Sequence, residues 1–516
     1  MGSPRLKPSR FPKTENMMQK NILTYLEATA ARLPDKIAFS TGKESMTFFQ
    51  VQHGAAAIGS FLCKNGFYRE PIVIFMDKHP NTVTAFFGVI YSGCFYVCLD
   101  EKMPEARMRA ILDNLRPRAI VSDRKNYKNA EKLGVEHLYL YDEIATSPID
   151  CDALASVREK QCDVDAIYVV FTSGSTGIPK GVVACHRSVI DYTESLTAAL
   201  GFSEQTVFAN QTPLYFDAPL KELMPTLKLG ATTYFVPRML FSFPVRLIEY
   251  LNEYQINTVC WVVSALVQVS SLGALENNKP RYLTKVAFGS EVFPKKQYDL
   301  WRAALPNAEF YNLYGPTEAT GMSCYWKAER ALTEGESIPI GRPFDNTEIL
   351  LIDEEGKLAE EGEICIRGTC LTMGYYNNPE RTAEAFVQNP LNTAYPELVY
   401  RTGDVGRINE RGELVFVCRK DSQIKHQGHR IELGEIEAAA SKLAEIVRAC
   451  CVYDAEGKRI VLYFVGEIDE KRLLSALAEY LPRYMLPSVL QKLNAMPLTD
   501  NGKIDRRTLK ERAVQL

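Results

Sequence analysis

Long apolar runs are scarce in these 516 residues: the longest, Ala85 to Leu99, is interrupted by Ser92 and falls short of the roughly 20 residues a spanning helix needs. It reads instead as a buried helix running into a buried strand, and no membrane partner is expected. The opening MGSPRLKPSRFPKTEN is basic and Pro-containing but has no apolar core of the signal-peptide kind. Residues 1–20 are therefore expected to form a mobile tail, and the cytoplasm is the expected location. Histidine is sparse, and the six present (His53, His79, His137, His186, His426, His429) do not group with cysteine at zinc-ligand spacing. Thirteen cysteines, odd in number and scattered without a Cys-x-x-Cys pair, argue against a disulfide scaffold and for a reducing compartment. Charge of one sign is lacking too: 60 Lys and Arg against 63 Asp and Glu leave -3, which excludes a nucleic-acid-coating protein and favours a small-molecule partner.

With 46% hydrophobic side chains the chain can bury a large core, and its length exceeds what one core organises, so two or more domains are expected. From about residue 20 to 415, β-branched or aromatic runs alternate with helical stretches, the α/β pattern of stacked sheets with crossover helices. Ile167–Phe171, Asn257–Val263, Thr284–Phe288 and Glu309–Leu313 are the clearest strands. Each runs into a polar, Gly or Pro turn, and ligands of open α/β sheets bind where such strands end, so the four turns are expected to converge. After Leu414–Val417 the composition shifts to a small α+β unit: a helix from Glu435 to Ile446, strands Val447–Tyr453 and Arg459–Val465, and a helix from Glu470 to Leu481. The expected division is a large domain over 21–418, a hinge at 419–421 and a small mobile domain over 422–516.

The segment FTSGSTGIPKG, Phe171 to Gly181, follows a strand and gathers Thr172, Ser173, Gly174, Ser175, Thr176 and Gly177 ahead of Lys180. Backbone N–H groups and hydroxyls of such a loop suit phosphate oxygens, with ATP the natural occupant. It is not a P-loop, because Gly174, Gly177 and Lys180 are misspaced for that pattern. An ordinary Gly-rich turn is the plainer alternative.

The loop resembles the signature of adenylate-forming enzymes, which include acyl-CoA ligases, luciferases and the adenylation domains of nonribosomal peptide synthetases. Further matches follow in the family's order from about residue 22 onward. Asn312-Leu313-Tyr314-Gly315-Pro316-Thr317-Glu318 looks like the adenine and magnesium motif, and Tyr400-Arg401-Thr402-Gly403-Asp404 like the ribose motif. The segments from Gln427 to Glu437 and from Asn501 to Asp505 look like two late motifs. The resemblance implies nucleotide contacts from Asn312, Tyr314, Gly315, Thr317, Asp404 and Arg419, and a magnesium ligand in Glu318. Tyr314 would stack on adenine and Asp404 would accept both ribose hydroxyls; taken singly, these are a packing Tyr and a turn Asp. Lys503, after an Asn-Gly turn, would reach the substrate carboxylate and the α-phosphate. Asp421 aligns with the family's hinge residue, although Cys418 stands where Gly is usual, and Gly428 matches the loop lining the pantetheine tunnel or is simply a turn Gly.

Tyr215-Phe216-Asp217-Ala218-Pro219 resembles the F-D-x-S motif of amino-acid adenylation domains, with Pro219 in place of Ser. There the Asp pairs with the substrate α-ammonium, which acyl-CoA ligases for simple acids generally lack; helix N-capping is the local alternative for Asp217. The family's pocket positions carry over to Phe216, Ala218, Lys221, Cys260, Val286, Phe288, Leu313, Gly321 and Met322, with Phe288 expected to shorten the cavity. The resemblance implies activation of an amino acid with ATP and Mg2+, then transfer to the phosphopantetheine of a carrier protein; with no second carrier motif after Lys503, the carrier is expected in trans or the chain is a piece of a larger synthetase. Free-standing D-alanine ligases resemble the chain as much as synthetase modules do. The alternatives are an acyl-CoA ligase for a non-amino acid and an inert nucleotide-binding or carrier-docking protein.

Overall fold

The computed structural model describes residues 19–174, 179–333, 336–420, 423–499 and 504–515. Its contacts divide the chain into two units. The first comprises Met1–Glu101, Pro117–Val170 and Val182–Val417; the second comprises Lys102–Arg116, Phe171–Gly181 and Cys418–Leu516.

The first unit is built on a nine-stranded sheet. From one edge its strands run Arg342–Pro343, Cys324–Lys327, Glu309–Tyr314, Lys285–Gly289, Thr258–Val262, Val207–Asn210, Thr232–Phe235, Ile37–Ser40 and Ser45–Thr47. The central six pair in parallel, which requires crossovers, and helices supply them. A six-stranded sheet contains Pro71–Phe75, Phe95–Cys98 and Ala166–Thr172, and a five-stranded antiparallel sheet contains Glu361–Gly368 and Leu398–Ile408. Between the strands of the six-stranded sheet, the helix Pro80–Tyr91 is buried at every position but Asn81, so the long apolar run is core. Among the described residues no helix is long and apolar enough to cross a membrane. All thirteen cysteines are free.

Three of the four expected strands, Thr258–Val262, Lys285–Gly289 and Glu309–Tyr314, lie side by side. The fourth, Ala166–Thr172, belongs to the six-stranded sheet, so the four turns do not close off one sheet edge. Local pattern marks a strand without saying which sheet it joins.

Pairing of Cys260 with Ala287 and of Ala287 with Tyr311 fixes which side chains share a face. Cys260, Ala287, Tyr311 and Leu313 join one core with Tyr192, Leu220 and Leu223. Val286, Phe288, Trp261 and Phe310 join another, with Leu266, Tyr298 and Trp301. Alternation along a strand makes these assignments mutually exclusive.

In the second unit, strands Ile446–Asp454, Arg459–Gly466 and Val489–Lys492 form a sheet with helices Leu433–Ala440 and Glu470–Leu477 against one face. The closing helix Arg506–Val514 covers the other face through Leu509 and Ala513. The first helix is shorter than its sequence pattern, ending at Ala440, because Ile446 is already the buried first residue of the strand.

Gly289 sits where its strand approaches the next most closely: a Cβ there would lie 2.3 Å from the Leu313 carbonyl oxygen. Backbone cannot yield as a flexible side chain can. Gly289→Ala is expected to cost about 1–3 kcal/mol in denaturant unfolding; an unchanged midpoint would show that the strands separate freely.

Candidate functional site

The strand Val207–Asn210 leads through a loop into the helix Leu220–Leu229, and Asp217 lies in that loop. Its backbone carbonyl accepts from the Leu220 N–H at 3.0 Å. The residue flanking the helix is Pro219 and no side chain caps it, so Asp217 is not spent on N-capping. Asp217 keeps partial exposure, yet burial dominates its titration, as expected for the wall of a recess. Burial pushes its carboxyl above the ordinary value, while a hydrogen bond with Thr317 and the Lys221 charge pull it back. Gly321 leaves room beside it: a Cβ there would only touch Asp217 Oδ2 and Tyr192 Oη, each at 3.9 Å.

One turn further on, Lys221 is 3% exposed. Cys260, Leu313 and Met322 are buried in the core that also holds Tyr192 and Leu220. Phe216 and Ala218 are half-buried next to Asp217, with the Phe216 ring 4.6 Å from that of Tyr215. The structure thus groups Asp217, Thr317 and Gly321, and places Cys260, Leu313 and Met322 on the adjoining sheet face. Val286 and Phe288 are a correction. Both point to the opposite face, where Phe288 meets Phe293 and Tyr298 edge-on at 4.9 and 6.0 Å, so Phe288 cannot shorten the recess. The positions sharing the face of Cys260 and Leu313 are Ala287 and Gly289. Adjacent residues of a strand face opposite sides, so Val286 and Phe288 cannot share the face of Cys260 and Leu313.

In the same unit, Tyr314 Oη donates to Asp404 Oδ2 at 2.6 Å, with both residues buried. Thr402 Oγ1 accepts from the Asp404 N–H at 3.0 Å and donates to the Ile364 carbonyl at 2.7 Å, tying the carboxylate's backbone to the neighbouring strand. One Asp404 oxygen already takes the Tyr314 proton, so two diol hydroxyls would not have both oxygens to themselves. Asn312 Nδ2 donates to the Pro339 carbonyl at 2.8 Å. Gly315 is sterically required, because a Cβ would lie 2.5 Å from Met322 Cα.

Glu318 follows Thr317 in a short 3-10 turn and is fully buried. Its Oε1 accepts from Tyr375 Oη at 2.7 Å, and its carbonyl accepts from Thr372 N and Oγ1 at 3.0 and 2.9 Å. Tyr375 and Thr372 lie outside every sequence motif; only the fold brings them to Glu318. Among the described residues no three His, Cys, Asp or Glu side chains form a metal-binding group. A single oriented carboxylate still fits magnesium, which is commonly held by one or two carboxylates together with substrate phosphates.

In the second unit, the phosphate-type loop already faces carboxylates. Ser173 Oγ donates to the Arg430 carbonyl at 2.8 Å and the Gly174 N–H to Glu435 Oε2 at 3.3 Å. Lys180 Nζ lies 3.9 Å from Glu432 Oε1, and Thr172 Oγ1 is 3.5 Å from the Lys180 carbonyl. Glu435 also pairs with buried Arg107; burial raises its pKa and Arg107 opposes the rise. Arg419 ends the strand Leu414–Arg419. Gln427 and Gly428, at φ 52° and 79°, form the two-residue turn of the hairpin Gln423–His426 and His429–Glu432, the conformation of a type I′ hairpin turn. Ser175, Thr176, Gly177, Asp421 and Lys503 lie outside the described residues.

Comparison with known proteins agrees with this geometry. Residues 26–376 match the AMP-binding enzyme family. Zwittermicin A synthase ZmaJ of Bacillus cereus is 30% identical over 95% of this chain and 95% of its own length. Tyrocidine synthase 1 of Brevibacillus parabrevis is 29% identical over 95% of this chain, which spans 45% of that protein. In fold, the chain superposes with a TM-score of 0.81, at 23% identity, on holo-PA1221, a nonribosomal peptide synthetase protein containing adenylation and carrier domains, covering 95% of this chain and 84% of that one. The chain belongs to the AMP-binding enzyme family and is an adenylate-forming ligase of the nonribosomal peptide synthetase adenylation type.

Proposed function

We propose that the chain activates an amino acid with ATP and Mg2+ as its aminoacyl-adenylate, releasing pyrophosphate, and passes the acyl group to the phosphopantetheine thiol of a carrier protein. The observation that carries this reading is Asp217: a carboxylate in a recess wall, beside a glycine, not consumed by helix capping. An α-ammonium can form a direct charge-assisted pair with that carboxylate, and a simple carboxylic acid cannot.

Activation is an in-line displacement in which the substrate carboxylate attacks the α-phosphorus and pyrophosphate leaves. The chemistry asks for positive charge on the phosphoryl oxygens and leaving group. In this reading Lys503 supplies it, and Lys180 with the Ser173–Gly177 loop takes phosphate oxygens. Glu318, together with substrate phosphates, would hold magnesium, which would supply Lewis-acid charge there. Asp404, oriented by Tyr314, takes the ribose, with Asn312 and Arg419 on the nucleotide. Asp421 serves as hinge and Gly428 as tunnel lining for the thiol.

Amino-acid-dependent exchange of pyrophosphate into ATP is the direct test, and exchange supported only by non-amino acids would return the chain to the acyl-CoA ligases. Asp217→Asn is expected to lower kcat/KM for the best amino acid about a hundredfold, the loss of about 3 kcal/mol for a broken buried pair. Unchanged activity would contradict the ammonium assignment.

The two half-reactions separate by mutation. Lys503→Ala should abolish adenylate formation and spare thioester formation from a preformed adenylate, whereas Gly428→Leu should do the reverse; equal loss of both steps in both folded variants would refute the assignment.

For the nucleotide, Tyr314→Phe removes the bond that orients Asp404. An approximately tenfold rise in KM for ATP, with the amino-acid KM little changed, is expected for a hydrogen bond to a charged group. A selective effect on the amino acid instead would place Tyr314 on the wrong ligand.

A further inference from the structure

The proposed reaction gives Glu318 a magnesium ion to hold, yet Glu318 sits on a short turn that cannot aim a side chain unaided. It is the middle residue of the 3-10 turn Thr317–Ala319. The next residue, Thr320, is fully buried in the left-handed region at φ 56° and ψ 43°. For a β-branched side chain that backbone is strained, and it persists only where surrounding contacts impose it.

Residues 370–375, 50 to 57 positions further along the chain, supply such contacts. Thr320 Oγ1 donates to the Cys370 carbonyl at 2.7 Å, and the Glu318 carbonyl accepts from Thr372 N and Oγ1 at 3.0 and 2.9 Å. With the backbone of the turn held on both sides of Ala319, Tyr375 Oη donates to Glu318 Oε1 at 2.7 Å. The tyrosine is itself fixed. Its N–H donates to Thr382 Oγ1 at 2.9 Å, its backbone bridges to Val182, and Gly374 beside it pairs with Val183. Its ring packs with Val182, Tyr400 and Phe386, meeting the last edge-on at 6.0 Å. A rigid phenol on one oxygen of a carboxylate whose backbone is also anchored sets the plane of that carboxylate. Magnesium demands near-octahedral ligand geometry, so the plane of a ligating carboxylate governs how tightly the ion is held.

We propose that Tyr375 is a positioning residue that aims the Glu318 carboxylate at the magnesium accompanying ATP. The inference rests on the proposed magnesium role of Glu318 and deepens it. Residues 370–375 act as a clasp: Cys370 and Thr372 hold the turn, and Tyr375 orients its side chain.

The test uses the full chain with Mn2+ and α,β-methylene-ATP, whose bridging carbon prevents release of pyrophosphate and so separates binding from turnover. Water-proton relaxation reads the bound Mn2+–nucleotide complex, and calorimetry in EDTA reads AMP. Tyr375→Phe keeps the ring against Phe386 and removes only the hydroxyl. Its affinity for the Mn2+–nucleotide complex is expected to fall about tenfold, the scale on which metal sites respond to losing a hydrogen bond to a ligand, with AMP affinity within about twofold of wild type. Half-saturating Mg2+ in pyrophosphate exchange should rise by a similar factor, while kcat at saturating Mg2+ changes little. In a Glu318→Gln background the same substitution should add nothing, because an effect transmitted through that carboxylate disappears with it. Unchanged Mn2+–nucleotide affinity in Tyr375→Phe, beside a loss in Glu318→Gln, overturns the inference and leaves the magnesium role of Glu318 standing. Unchanged affinity in both variants fails that role as well. A Tyr375→Phe that loses AMP as strongly as the metal complex, or that weakens the metal complex equally in the Glu318→Gln background, overturns the inference by reducing Tyr375 to packing.

Discussion

The in-register parallel pairing of Thr258–Val262, Lys285–Gly289 and Glu309–Tyr314 is the constraint on which the site depends. It sets Cys260, Ala287, Gly289 and Leu313 on one face and Trp261, Val286, Phe288 and Phe310 on the other. The first face meets the helices bearing Tyr192 and Lys221; the second is filled by aromatic packing around Trp301. Because side chains alternate strictly, the recess inherits small residues while the bulky ones go to the core behind. The close approach of Gly289 to the Leu313 carbonyl has the same origin.

Charge burial is the second constraint. Lys221, Glu222 and Glu318 are buried and Asp217 is partly so, within about a hundred residues of sequence, each at a cost that needs local compensation. For Glu318 it comes from Tyr375, for Glu222 from the Lys221 charge, Asn210 and the Lys78 charge, and for Asp217 from Thr317 and Lys221. The compensating groups come from distant parts of the chain, so they fix the relative placement of elements that share no strand pairing. Lys78 is the clearest case, since it ties the segment after Pro71–Phe75 to the end of Val207–Asn210 in another sheet.

How much was legible beforehand divides along the same line. The strands around residues 167, 258, 285 and 309, the α/β class and the smaller α+β segment follow from local periodicity, and each observed strand agrees within about two residues. Asp217, Tyr314, Glu318 and Asp404 were legible as candidates because their motifs are contiguous. What was not legible required knowledge of pairing. Whether Val286 and Phe288 or Ala287 and Gly289 face the recess turns on one residue of register, to which composition is blind but the Cys260–Ala287 partnership is not. Tyr375 and Lys78 carry no signal at all in the chain, since their roles exist only through contacts 57 and 132 residues away. The grouping of Lys102–Arg116 with the C-terminal segment is of the same kind: Arg107 finds Glu435 across 328 residues.

That last pairing bears on how a Gly-rich loop dense in N–H and hydroxyl donors can be stable as a folded element. Backbone N–H groups and a lysine in a Gly-rich turn respond to negative charge and lone pairs, and do not by themselves distinguish a phosphate from a carboxylate. Left unanswered, such buried donors would cost the fold free energy. Here the Gly174 N–H is met by Glu435 and Lys180 is approached by Glu432, while Ser173 donates to the Arg430 carbonyl. Glu435 in turn would be an expensive buried anion without Arg107, whose partnership holds down the rise that burial causes. The late motif beginning at Gln427 therefore supplies acceptors to the loop from a segment more than 250 residues away. Two of its acidic residues, which in sequence read only as a family signature, have a structural reason of their own: Glu435 accepts from the Gly174 N–H and Glu432 lies 3.9 Å from the Lys180 ammonium.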